Sequence, residues 1–219
     1  MNKQLITIGF IILSITVIGK SIFSLASRIK VDDFRKSAIV FVLDTSDKNV
    51  KLEEETDYLR SLCAILDPED AIKIIKVEEK SYIIFEGSPA DASGIRKAIS
   101  EYTKERSNEN AYGEGIKKAF DYALTMKKEG FIPSIVVLGT MEETGDVSKQ
   151  INWDTLPKNI KNVQNYVPEI SMMFAYAEPE KLDIVKTKLN PVLGEKKLII
   201  ANSIGAEKAS RRLLQAIGR

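Results

Sequence analysis

Two kinds of patterning alternate along the chain. Short runs of consecutive apolar residues are separated by stretches whose apolar positions recur every three to four residues. Residues 38–44, "AIVFVLD", 132–139, "IPSIVVLG", 169–177, "EISMMFAYA", and 196–203, "KKLIIANS", are near-continuous apolar runs. They lack the in-out alternation of a half-exposed strand, so they predict central strands buried on both faces. Between them, residues 53–66 place Leu59, Leu62, Cys63 and Leu66 on one helical face. Residues 91–105 and 113–128 are amphipathic in the same way, the second with Ile116, Ala119, Phe120 and Ala123 inward. Helices are expected at about 179–189, with Pro179 in the first turn, and at 206–217. Residues 71–77, "AIKIIKV", and 82–87, "YIIFEG", are short strands joined by the charged turn "EEKS", which predicts a hairpin. The pattern is that of an α/β fold: a doubly wound, mostly parallel sheet with helices on both faces and one antiparallel edge strand.

The amino terminus breaks this rhythm. Residues 5–19, "LITIGFIILSITVIG", carry no charge, and apolar character continues past Lys20 to Ala26. Roughly 22 residues at about 1.5 Å each can span a bilayer. Lys20 must then snorkel to a headgroup. The alternative is a cleaved signal peptide, with Lys3 as its charged start and Ser24 and Ala26 as small residues before the cut. The expected organisation is a single-pass transmembrane anchor over 1–26, a polar linker over 27–37 and one soluble domain over 38–219. A short basic start followed at once by an apolar core resembles an export signal and places the domain outside the cytoplasm. Lys20, Arg28, Lys30, Arg35 and Lys36 argue the other way.

Composition narrows the chemistry. Lys and Arg number 32 against 31 Asp and Glu, so no field of one sign exists to attract nucleic acid. Histidine is absent, which removes the commonest acid-base group and the commonest transition-metal ligand together. The single cysteine, Cys63, lies on the apolar face of a helix and reads as a small buried residue. Neither a Ser-His pairing nor a phosphate-cradling loop is present: "GSPADASG" lacks the terminal Lys-Ser/Thr, and "YGEG" is too short a signal. No enzyme activity is expected.

Asp44 ends the first strand, at the sheet edge where such folds bind ligands. The stretch "AIVFVLDTSDK" and the order of elements resemble the von Willebrand factor A domain over about residues 36–218. The resemblance implies protein recognition through a metal-ion-dependent adhesion site, with an Asp-x-Ser-x-Ser loop, a Thr before a glycine-containing helix and an Asp after the fourth strand. Mg²⁺ suits such an oxygen site. Asp44 and Ser46 match the first two positions, while Lys48 stands at the third, Asn110 where the family has Thr and Thr140 where it has Asp. An ammonium beside the would-be metal repels it and could itself pair with Asp44. The expectation is therefore a degenerate site, no cofactor, and binding of another protein through a surface built on Asp44, Ser46, Lys48, Asn110 and Thr140. Three alternatives stand beside it. Asp44 and Ser46 could simply form a turn before a helix. Asp47, Glu142, Glu143 or Asp146 could complete a Mg²⁺-dependent adhesion site. Asp44 could serve as nucleophile of a hydrolase or phosphotransferase, although the acid-base partner two residues later is replaced by Ser46. Lastly, the long segment 141–169, with a short helix expected over about 157–166, carries Trp153, the only tryptophan, readable as a lid on its own domain or as an anchor for the partner.

Overall fold

In β1, Ser37–Asp44, all eight residues are buried. Ala38, Val40 and Val42 belong to one core, and Ile39, Phe41 and Leu43 to a second on the opposite face. A strand buried on both sides needs helices on both sides, and the computed structural model, which describes residues 35–104, 106–202 and 205–218, has them. The first core is closed by α3 (Tyr112–Lys128), α4 (Leu156–Gln164) and α5 (Pro179–Leu193). The second is closed by α1 (Leu52–Cys63), α2 (Ala92–Tyr102) and α6 (Ala206–Ala216).

The remaining strands are β2 (Ala71–Val77), β3 (Ser81–Gly87), β4 (Ile132–Leu138), β5 (Ser171–Ala175) and β6 (Leu198–Ile200). Their order is β3-β2-β1-β4-β5-β6, parallel throughout except for the antiparallel β2–β3 hairpin. The predicted doubly wound sheet with one antiparallel edge strand is thus observed. Because β1 is flanked by β2 and β4 in register, with Asp44 opposite Val77 and Leu43 opposite Leu138, the loops leaving β1 and β4 emerge side by side.

Several boundaries differ from expectation, β6 keeping only Leu198–Ile200 of the run 196–203 and α2 only Ala92–Tyr102 of 91–105. The helix expected to end at 189 continues through Pro191 to Leu193, because Val185, Leu189 and Leu193 keep one buried stripe that outweighs a proline in the last turn. The short helix expected over 157–166 occupies Leu156–Gln164, with Leu156, Ile160 and Val163 inward. The anchor expected over 5–26, and the linker as far as residue 34, lie outside the described residues. Among the described residues no helix is long and apolar enough to cross a membrane.

Candidate functional site

The site is built where β1 ends. Asp44 is fully buried. Its Oδ1 accepts the Ser46 N–H at 2.9 Å, and its Oδ2 accepts the Tyr112 hydroxyl at 2.9 Å. The same phenol oxygen accepts the Met141 N–H at 3.2 Å, so Tyr112, at the start of α3, ties β1 to the loop after β4. Gly139 makes room for it. With φ of +143°, a Cβ there would fall 1.9 Å from the Tyr112 hydroxyl and 2.6 Å from Asp44 Cβ.

Beneath the loop, Asn49 donates through Nδ2 to the Asp44 carbonyl and to Glu55 Oε2, each at 2.7 Å. Glu55, in the first turn of α1, is fully buried, and its Oε1 has no hydrogen-bond partner. Burial, reinforced by the nearby Asp44 and Glu54 charges, pushes its carboxyl up to about 8 despite the Asn49 bond and the Arg106 charge. The Asp44 carboxyl is also raised, by burial that outweighs the Ser46 and Tyr112 contacts and the Arg106 charge. The Ser46 hydroxyl lies close enough to Asp44 to favour its ionised form but makes no well-formed hydrogen bond.

Arg106 supplies the positive charge. Its Nη2 donates to the carbonyls of Ser46 and of Asn49, the latter at 2.6 Å, and its Nε to the Thr45 carbonyl at 3.3 Å. Asp47 Oδ1 lies 3.6 Å from Nε. Loop carbonyls that converge on a point invite a cation, and here the cation is a guanidinium from the same chain. Lys48, to which sequence assigned the possibility of pairing with Asp44, is exposed instead.

Asn110 and Thr140 are buried beside this cluster, but their side chains serve the neighbouring loop. Asn110 Nδ2 donates to the Glu142 carbonyl, and Oδ1 accepts the Thr144 N–H at 3.0 Å. Thr140 Oγ1 accepts the Glu142 N–H at 3.4 Å, while its carbonyl accepts the Glu178 N–H at 2.9 Å. The acids proposed as substitute ligands are dispersed. Glu143 accepts the Ile151 N–H and pairs with Lys181 at 3.5 Å, Asp146 accepts the Ser148 N–H at 2.9 Å, and Glu142 is exposed. Trp153 is half-buried against the first core, with its indole N–H buried and unpartnered. The structure therefore gathers Asp44 and Ser46 with Asn49, Glu55, Arg106 and Tyr112, of which sequence reasoning named only the first two. Glu55 carried a signal, because it shares the i, i+3, i+4, i+7 face with Tyr58, Leu59 and Leu62. Arg106 carried none, since it lies in a loop and acts across about 60 residues.

No known family profile matches the sequence, and no curated protein does. Solved structures do resemble it. The SpRpn10 VWA domain aligns at 14% identity with a TM-score of 0.59, covering 82% of this chain and 95% of that one. A von Willebrand factor type A protein from Catenulispora acidiphila aligns at 12% identity and a TM-score of 0.54, covering 84% of this chain but only 43% of that one. An aerotolerance-related membrane protein from Bacteroides fragilis aligns at 11% identity and a TM-score of 0.52, covering 83% and 98%. Together with the sheet order and the helices on both faces, these likenesses show that the chain has the von Willebrand factor A fold.

Proposed function

We propose that the chain is a membrane-tethered module for protein recognition or assembly that works without a divalent metal. The observation that carries this reading is the Tyr112 phenol on Asp44: the carboxylate that would face a metal accepts hydrogen bonds from a side-chain hydroxyl and a backbone N–H at 2.9 Å each. The donor set around it does not fit Mg²⁺, which needs several converging oxygens. Asn110 and Thr140 are engaged with the Glu142 segment, and Arg106 sits on the loop carbonyls. Among the described residues no group of three or more His, Cys, Asp or Glu could hold a metal ion.

The same burial argues against Asp44 as a nucleophile, since no substrate atom can approach an oxygen already enclosed. What this edge offers a partner is the outside of the loop: Asp47, Lys48 and Val50 are exposed, Val50 at 78%. Asp44, Ser46, Asn110 and Thr140 then contribute from beneath, by fixing the shape of that surface. One protein of the same fold, from Bacteroides fragilis, is described as a membrane protein, as a tether over 5–26 would make this chain.

Calorimetric titration of the detergent-solubilised full chain with Mg²⁺ and Mn²⁺ tests the metal-free reading. The expected Kd is no tighter than about millimolar, at or beyond the weak limit of dedicated cation sites. Micromolar affinity would overturn it.

A further inference from the structure

β3 is the outer strand of the sheet, and among the described residues no strand pairs with its other side. At its first residue the Ser81 N–H donates to Glu114 Oε2 at 3.4 Å and the Ser81 carbonyl accepts from Lys118 Nζ, so the open part of this edge, among the described residues, follows Ser81. Natural edges are blunted by charge, proline or bulges. Here the register shifts opposite Ile74 and Ile75, yet Tyr82 and Ile83 stand 50% and 52% exposed on the strand.

Along the α3 side of this edge runs a groove of about 670 Å³. Ile83, Tyr122, Met126 and Phe131 give it an apolar lining. Glu69, Glu86, Asp121 and Glu129, all exposed, give it an acidic rim. The two lysines that line it are already matched. Lys73 Nζ lies 2.9 Å from Glu86 Oε2 and 4.1 Å from the centroid of the Tyr122 ring, and Lys118 Nζ lies 2.9 Å from Glu114 Oε1. Asp121 and Glu129 have no ion-pair partner among the described residues. The negative field reaches the lining: after burial, Glu86 and Glu129 are what raise the Tyr122 phenol.

We propose that this edge groove takes an extended segment of a partner protein, apolar at alternate positions and flanked at its ends by lysine or arginine, added as a further strand on β3. The proposal rests on the protein-recognition reading and gives it a place and a partner chemistry. An extended segment presents its side chains to opposite faces at period two. One set then lies over Ile83 and the Tyr122–Met126 wall, main-chain groups complete the ladder, and flanking cations meet Asp121 and Glu129. Strand addition of this kind takes affinity from the main chain and specificity from alternate side chains.

The test uses the full chain in a nonionic detergent and three fluorescent peptides of equal length: alternating valine and threonine with lysines at both ends, the same sequence with glutamates at both ends, and the lysine peptide N-methylated at alternate amides. Anisotropy should show the lysine peptide binding at least about tenfold tighter than either of the others, and more weakly as salt rises. Ile83→Lys, and separately the pair Asp121→Lys with Glu129→Lys, should each weaken it about tenfold. All three positions are exposed, so circular dichroism and the melting curve should stay as in the unaltered chain. Equal binding of the lysine and glutamate peptides, or of the N-methylated form, would overturn the proposal. So would a concentration-dependent dimer that excludes the peptide, since a second copy would then own the edge. Should a native partner still be captured while the lysine peptide does not bind, the groove assignment fails and the recognition reading survives.

Discussion

A carboxyl group removed from water must be neutral, paired or heavily hydrogen-bonded, and Glu55 is held by a single bond from Asn49. Its carboxyl titrates near 8 in the folded chain against an ordinary 4.5. Between those values the unfolded chain has lost the proton that the folded chain keeps. Stability that is fully present below about pH 4.5 therefore falls as pH rises, by about 1.4 kcal/mol per unit at most, and is lost above about pH 8. Asp44, raised as well, adds in the same direction at the acid end. Glu55→Gln keeps an acceptor for Asn49 without the titration. Urea melts at a series of pH values should show a flatter profile for the variant and greater stability than the unaltered chain near pH 8. An unchanged slope would remove Glu55 as its source. This residue also shows what sequence could and could not reveal. Its helical spacing places it inward, but the run "LEEETDY" looks like an ordinary acidic first turn, and residue type alone does not separate buried Glu55 from the exposed Glu53 and Glu54.

At the scale of elements, the strands and helices were legible because each writes its burial into its own sequence. β1 and β4 are apolar throughout, the hairpin carries its charged turn, and α3 repeats its inward face over 17 residues. The segment from Met141 to Thr155 wrote almost nothing, since distant parts of the chain hold it. Asn110 fixes Glu142 and Thr144, and Gly113 of α3 lets the Gln150 carbonyl approach to where a Cβ would be 2.1 Å away. Gly113, the first glycine of "AYGEG", therefore serves loop packing rather than phosphate binding. Trp153 belongs to this held segment. Its half-buried ring packs on the core that α3 and α4 share, so Trp153→Ala should lower stability by about 2 kcal/mol, less than a fully buried aromatic would cost. Chemical denaturation measures it. An unchanged midpoint together with a loss of partner capture would make the ring an interface anchor instead.

At the scale of the whole molecule, the proposed membrane tether rests on the amino-terminal sequence, since among the described residues no helix is long and apolar enough to cross a membrane. As a helix, the 22 residues 5–26 would be about 33 Å long, against a hydrocarbon core of about 30 Å. Lys20 would then stand six residues inside one end of that span, so its stem must run through the apolar layer for the ammonium to reach the headgroups. An embedded helix of this length is not displaced by raising pH or salt, because its retention is hydrophobic rather than ionic. The full chain should accordingly remain in the pellet through alkaline carbonate washing and leave it only with detergent. A mature form that begins near Ser27 and is recovered in the supernatant would establish a cleaved signal instead. If the anchor is kept, the basic residues on its two sides compete, and the export-like start favours a domain outside the cytoplasm. Protease added to intact cells should then digest the domain without lysis. Digestion that requires lysis would place the domain inside and show that Arg28, Lys30, Arg35 and Lys36 decide the orientation.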